Sequence, residues 1–128
     1  MQIFLKIILS ALIVAVAIFM IGAIYLTKGM KAGKELVINK VNLGDLSDGR
    51  YRGSYTSGRW SNELEITVKD HKIVTITSIK DVAFIPPEFK ENLFDSVIQK
   101  QNTDVDVVSG ATVTTKAYLK SIENALNK

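Results

Sequence analysis

The sequence predicts an α+β domain, a small antiparallel sheet with two packed helices, preceded by one N-terminal transmembrane helix. Three observations predict it. Ile7 to Leu26 carries no charged residue. From Arg50 to Lys80, apolar and polar side chains alternate around a two-residue break. After Pro87, and again from Lys116 to Leu126, apolar residues recur at helical spacing.

The first prediction is the apolar helix. Its 20 or so uncharged residues, interrupted only by Ser10 and Gly22, would rise about 30 Å as a helix, which matches a hydrocarbon core. A chain of 128 residues has too little remaining mass to bury a helix that is apolar on every side. A cleaved signal peptide is the competing reading, with Lys6 as its basic region and Ala15-Val16-Ala17 as small residues for cleavage. The run is longer than such a peptide needs and continues past that point, so an uncleaved anchor is the expectation. Lys28, Lys31 and Lys34 after the run against Lys6 before it lean toward a cytoplasmic C-terminal side.

The expected divisions are residues 1–27 as anchor, 28–47 as linker ending in a short extended piece, and 48–128 as the domain. Tyr51, Gly53 and Tyr55 alternate with polar residues, and Thr56-Ser57-Gly58 turns the chain. Leu64, Ile66 and Val68 alternate with Glu63, Glu65, Thr67 and Lys69, a half-buried strand. Asp70-His71 joins it to the β-branched run from Lys72 to Lys80, which makes a hairpin. Asp81 to Pro87 is a loop. Pro86-Pro87-Glu88 opens a helix whose core stripe is Phe89, Leu93, Phe94, Val97 and Ile98. Val105 to Val108 is expected to be extended again, and Tyr118, Leu119, Ile122, Ala125 and Leu126 form one face of the last helix.

Composition narrows the chemistry. The hydrophobic fraction of 47% is concentrated at the N-terminus, and the net charge of +3 is mild. Lysines flanking the apolar run point to a lipid bilayer surface and not to nucleic acid, which would need more basic character among the aromatics than Arg52 supplies. With no cysteine and a single histidine, His71, the chain has neither a disulfide framework nor the ligands for a transition-metal site. His71 reads as a turn residue without a catalytic partner.

The stretch that carries chemistry is Asp106-Val107-Val108-Ser109-Gly110-Ala111-Thr112, then Val113-Thr114-Thr115. It sets hydroxyls and one carboxylate around a Gly-Ala pair just before a helix, where backbone N–H groups can meet an anion. The same residues also suit an ordinary junction in which Thr112 or Thr114 caps the helix.

This stretch resembles the attachment signature of the FMN-binding domain family, Asp-x-x-Ser/Thr-Gly-Ala-Thr, known from the C subunit of sodium-pumping NADH:quinone oxidoreductase and the G subunit of Rnf-type complexes. Asp48 to Gly53 resembles that family's opening strand, and Leu64 to Ile73 resembles its hairpin. The resemblance covers about Asp48 to Leu126. It implies FMN as cofactor, joined by a phosphodiester to Thr112, with Asp106, Ser109, Gly110, Ala111 and Thr114 as the surrounding site residues. Thr114 is then the expected helix N-cap, and Lys116 a cation that could screen the phosphate.

The resemblance further implies a separate flavin transferase as maturation partner, a membrane electron donor and an extracytoplasmic or membrane acceptor. It places the domain outside the cytoplasm, against the lysine count. The function it implies is an anchored electron relay with no catalytic residue of its own. The alternative is an anchored binding or structural module of the same fold, with FMN non-covalent or absent. Two departures stand out: Asp70-His71 replaces a common Asp-Gly turn, and Asp81 to Pro87 lacks the Glu-Thr-Pro-Gly type segment of larger members. Candidates for flavin stacking are therefore the aromatics Tyr51, Tyr55, Trp60 and Phe84.

Overall fold

The structure is a computed structural model that describes residues 1–107 and 110–127. Helix α1 (Gln2–Thr27) is continuous, buries none of its residues, and is long and apolar enough to cross a membrane. Lys28 and the left-handed Gly29 break it, and a short helix α2 (Met30–Glu35) follows.

The sheet is a three-stranded antiparallel meander, β1 (Gly49–Tyr55), β2 (Asn62–Lys69) and β3 (Lys72–Lys80), in that order. The hairpin forms at Asp70-His71 as expected. Both residues have positive φ (52° and 60°), the conformation that lets a two-residue loop match strand twist. Leu64, Ile66 and Val68 of the central strand are buried on one face, while Glu65 on the other pairs with Arg50 and Arg52 at 3.6 and 3.2 Å.

Helix α3 (Pro87–Lys100) starts with proline in its first turn and buries Leu93, Phe94 and Val97. Its left-handed cap, Gln101, does a second job. The Gln101 side chain accepts from Ile73 N–H at 2.7 Å and donates to Ile73 C=O at 2.9 Å, so it substitutes for a neighbouring strand at that point of the β3 edge.

Helix α4 (Thr112–Leu126) is the centre of the domain and not one of its faces. Beyond the expected Tyr118, Leu119, Ile122, Ala125 and Leu126, it also buries Val113, Ala117, Thr115, Ser121 and Glu123. It lies against β1 so closely that Gly53 is the only size of residue that fits: a Cβ there would come within 2.5 Å of Ala125 N and 2.7 Å of its Cβ. Tyr118 fixes its rotation. The phenol donates to Asp81 Oδ1 at 3.1 Å, accepts from Val82 N–H at 3.2 Å, and packs edge-on against Phe94. Burial, joined by the Asp81 carboxylate, pushes that phenol up to about 12.

Residues 28–47, read from the sequence as a linker, are wrapped on α4. Val41 is buried in the core, and Gly33 is buried against Val113. The extended piece after α2 pairs with no strand, so side chains satisfy its backbone. Lys116 donates to Lys34 C=O at 2.8 Å, Lys120 to Val37 C=O at 3.3 Å, and Asn127 to Lys40 C=O at 3.0 Å. Glu123 accepts from the Asn39 backbone and side-chain amides, both at 3.0 Å, and from Lys120. These residues recur along one face of α4. From the other side, Thr103 donates to Asn39 C=O at 2.7 Å, and Asn102 brackets Val41 N–H and C=O.

Two expectations change. Val105 to Val107 belong to no strand of the three-stranded sheet, and Val108 lies outside the described residues. Helix α4 begins at Thr112, with Ala111 as its cap, so Thr114 is not the N-cap. Burial decides this: Thr114 and Thr115 are both in the core, and packing draws the first turn of helix forward over them.

Two outcomes test this packing. Gly53→Ala should lower the free energy of unfolding by about 1–3 kcal/mol, the usual cost of overpacking, read as a lower midpoint in denaturant at unchanged slope. Burial raises the Glu123 carboxyl, but the Asn39 amides and Lys120 outweigh it and hold the group below the ordinary glutamate range. A depressed folded value means stability that is present above the unfolded pKa and lost as the pH falls through the folded one. Unfolding midpoints should therefore decline from about pH 4.5 downward, and Glu123→Gln should flatten that decline while lowering stability at neutral pH.

Candidate functional site

The N-terminus of α4 opens into a cleft of about 340 Å³, lined by Met30, Lys34, Arg59, Trp60 and residues 110–114. The first intrahelical bond runs from Thr115 N–H to Ala111 C=O at 2.9 Å, so the amides of Thr112, Val113 and Thr114 have no partner within the helix. Ala111 has no side chain that could cap them. The positive end of the helix dipole therefore faces this cleft. Thr112 stands at its rim as the first helical residue, half-buried.

Gly110 precedes it with a φ of +81°, a left-handed conformation that glycine adopts without strain. A Cβ at Gly110 would meet nothing within 4 Å among the described residues. Ala111 adds little bulk beside it.

Two cations share the cleft with these amides, and no carboxylate lines it among the described residues. Lys34 comes from α2. Arg59 comes from the tight turn Gly58–Trp60 between β1 and β2, where its guanidinium carbon lies 4.1 Å from the centroid of the Trp60 ring. Arg59 Nε donates to the carbonyl of Leu26, in the last turn of α1, at 3.1 Å. The same turn touches the end of α1 directly, since a Cβ on Gly58 would come within 2.7 Å of Lys28 O. The cleft is thereby built where the apolar helix enters the domain.

The other expected site residues fall in different places. Asp106 lines a separate open depression of about 420 Å³ beside Ser96, Gln99, Lys100 and Val105, at the end of α3. Thr114 lines the cleft, but its side chain is buried. Ser109 lies outside the described residues. Lys116 holds the Lys34 carbonyl. Of the four aromatics, Trp60 lines the cleft, nearly fully buried and with one face covered by Arg59. Phe84 is fully open to solvent on the loop, and Tyr51 donates its hydroxyl to Ser47 C=O at 2.7 Å.

Lys34 and Arg59 are the site residues that sequence reasoning did not pick. The basic flank of the apolar run was visible, as was an arginine beside the lone tryptophan, but only the folded chain brings them to Thr112.

An amide-lined cleft with two cations, a half-buried threonine and no carboxylate among the described residues suits the phosphate end of a nucleotide-like cofactor. Its residues fit FMN at that end. Comparison with known proteins agrees. The chain is 25% identical over 126 residues to an uncharacterized protein of Treponema pallidum (strain Nichols), a match over 93% of this chain and 35% of the relative, so it spans about a third of that protein's length. The profile of the FMN-binding domain matches residues 58–127, more than half of the chain and including Arg59, Trp60 and the whole of α4. With both the cleft and the profile pointing to the same cofactor, this chain belongs to the FMN-binding domain family.

Proposed function

We propose that the chain is a membrane-anchored flavoprotein that relays electrons, with its FMN joined to Thr112 Oγ1 by a phosphodiester. The observation that carries this reading is the position of Thr112 in the cleft lining, half-buried on the first turn of α4 where Thr114 and Thr115 are buried. A hydroxyl buried like that of Thr114 or Thr115 could not meet a second macromolecule.

Attachment is the work of a flavin transferase acting on FAD. The Thr112 oxygen forms a bond to the FMN-side phosphorus, the pyrophosphate P–O bond breaks, AMP departs with the electron pair, and the hydroxyl proton is released. The diester keeps one negative charge. The amides of Thr112, Val113 and Thr114 offer that charge hydrogen bonds without any rearrangement of the helix.

When bound, FMN supplies the electron transfer, and the protein supplies placement and electrostatics. Helix α1 anchors the chain in a bilayer, and the tight junction around Gly58 and Leu26 keeps the cleft close to the helix end. Electrons then pass from a membrane donor to an extracytoplasmic or membrane acceptor. The lysines after α1 favour a cytoplasmic domain, but attachment in this family occurs outside the cytoplasm, and we adopt the extracytoplasmic orientation.

Co-expression with an active flavin transferase should yield a fluorescent band that survives denaturing electrophoresis. Thr112→Ala should abolish it, and Thr112→Ser, which keeps a hydroxyl, should retain it. A non-fluorescent wild-type band under those conditions would reject the covalent link. Protease added to intact cells should remove the domain while sparing α1; protection of the domain would reverse the orientation.

A further inference from the structure

Two cations line the cleft: Lys34 belongs to the segment that joins α1 to the domain, and Arg59 to the turn between β1 and β2. Lys34 is the fifth residue of the six in α2. That helix is pressed on α4 through Gly33, where any side chain would collide with Val113, and through Lys116 Nζ on the Lys34 carbonyl. Arg59 is placed from the other direction. Its Nε is committed to Leu26 C=O and its plane to Trp60, while its two terminal nitrogens engage nothing among the described residues.

The Lys34 ammonium likewise makes no hydrogen bond or salt bridge among the described residues, although Glu35 is its neighbour in sequence. Two cations beside helix amides, without a carboxylate in the lining among the described residues, make an anion the group that complements this cleft. Met30 and Trp60 add apolar surface next to them.

We propose that Lys34 and Arg59 are the phosphate-binding pair of the flavin cleft, so that the juxtamembrane segment completes the cofactor site. This rests on the reading of the cleft as the FMN site but not on the covalent link. It has a structural consequence: Lys34 lies outside the matched region 58–127, so that region alone holds only half of the pair.

The test uses the full chain in detergent, produced without a transferase so that Thr112 is bare, and titrated with FMN and with riboflavin. The two ligands share the ring system and differ in the phosphate. FMN should bind at least about tenfold tighter, the scale of a charge-assisted hydrogen bond at a partly open site. Lys34→Gln and Arg59→Gln should each reduce that preference several-fold, and about 0.5 M salt should do the same to the unaltered chain. Lys31→Gln removes an equal charge from the same helix without touching the cleft lining and should leave the preference intact.

Lys34 is exposed, so its replacement does not threaten folding even if that of Arg59 does. Equal affinity for FMN and riboflavin in the unaltered chain, or a preference that survives both substitutions, overturns the proposal. Covalent attachment is read separately by fluorescence after denaturation. Absence of that fluorescence in the unaltered chain co-expressed with an active transferase, with the phosphate preference intact, would reject the covalent link and leave the pair standing.

Discussion

The close contact between α4 and β1 at Gly53 is the constraint on which the rest of the structure depends. With glycine at that point, helix and strand backbones approach within a distance that any side chain would prevent. The approach sinks α4 into the middle of the domain, where Ala117, Tyr118, Ile122 and Ala125 are solvent-free. Apolar burial on this scale is the main favourable term in so small a domain. Because α4 is central and its first turn buries Val113, Thr114 and Thr115, packing holds that turn, which forms one wall of the cleft.

The side of α4 turned away from the sheet is covered by the short helix α2 and the extended segment that follows it. An extended segment without a strand partner would leave its N–H and C=O groups unpaired, and such groups are costly when buried. Lys116, Lys120, Glu123 and Asn127 meet them instead, each about one turn of helix from the next. Glu123 is a buried carboxylate, but its two amide donors and Lys120 offset the loss of water. This ladder also positions α2, and with it Lys34.

The cleft lies where three independent constraints meet: the start of the core helix, the short helix α2 that follows the apolar helix, and the tight turn before β2. Each supplies a different ingredient. The helix supplies unpaired amides and Thr112, α2 supplies Lys34, and the turn supplies Arg59 and Trp60. A cofactor site at such a junction is held by elements that already have structural reasons to be where they are. Its electrostatics are then pre-organised, and little reorganisation is required when an anion enters.

Local sequence determined the helices and the three strands of the sheet, and it singled out Thr112 as the candidate for attachment. Alternation at Leu64, Ile66 and Val68 and the stripe through Leu93, Phe94 and Val97 are properties of short windows, and burial follows them. The signature ending at Thr112 is equally local, and it was sufficient to name the cofactor. Tertiary structure decided the rest. The start of α4 moved forward to Thr112 because the core takes in Thr114 and Thr115, which no helix-capping rule registers. Residues 28–47 look like a linker because their pattern has no period, yet partners more than 60 residues away hold them in place. Asp106, six residues from Thr112 in the chain, opens onto another depression, whereas Lys34 and Arg59, far away in sequence, share its cleft. Sequence spacing sets which residues share an element, but only the packing of elements sets which side chains share a site.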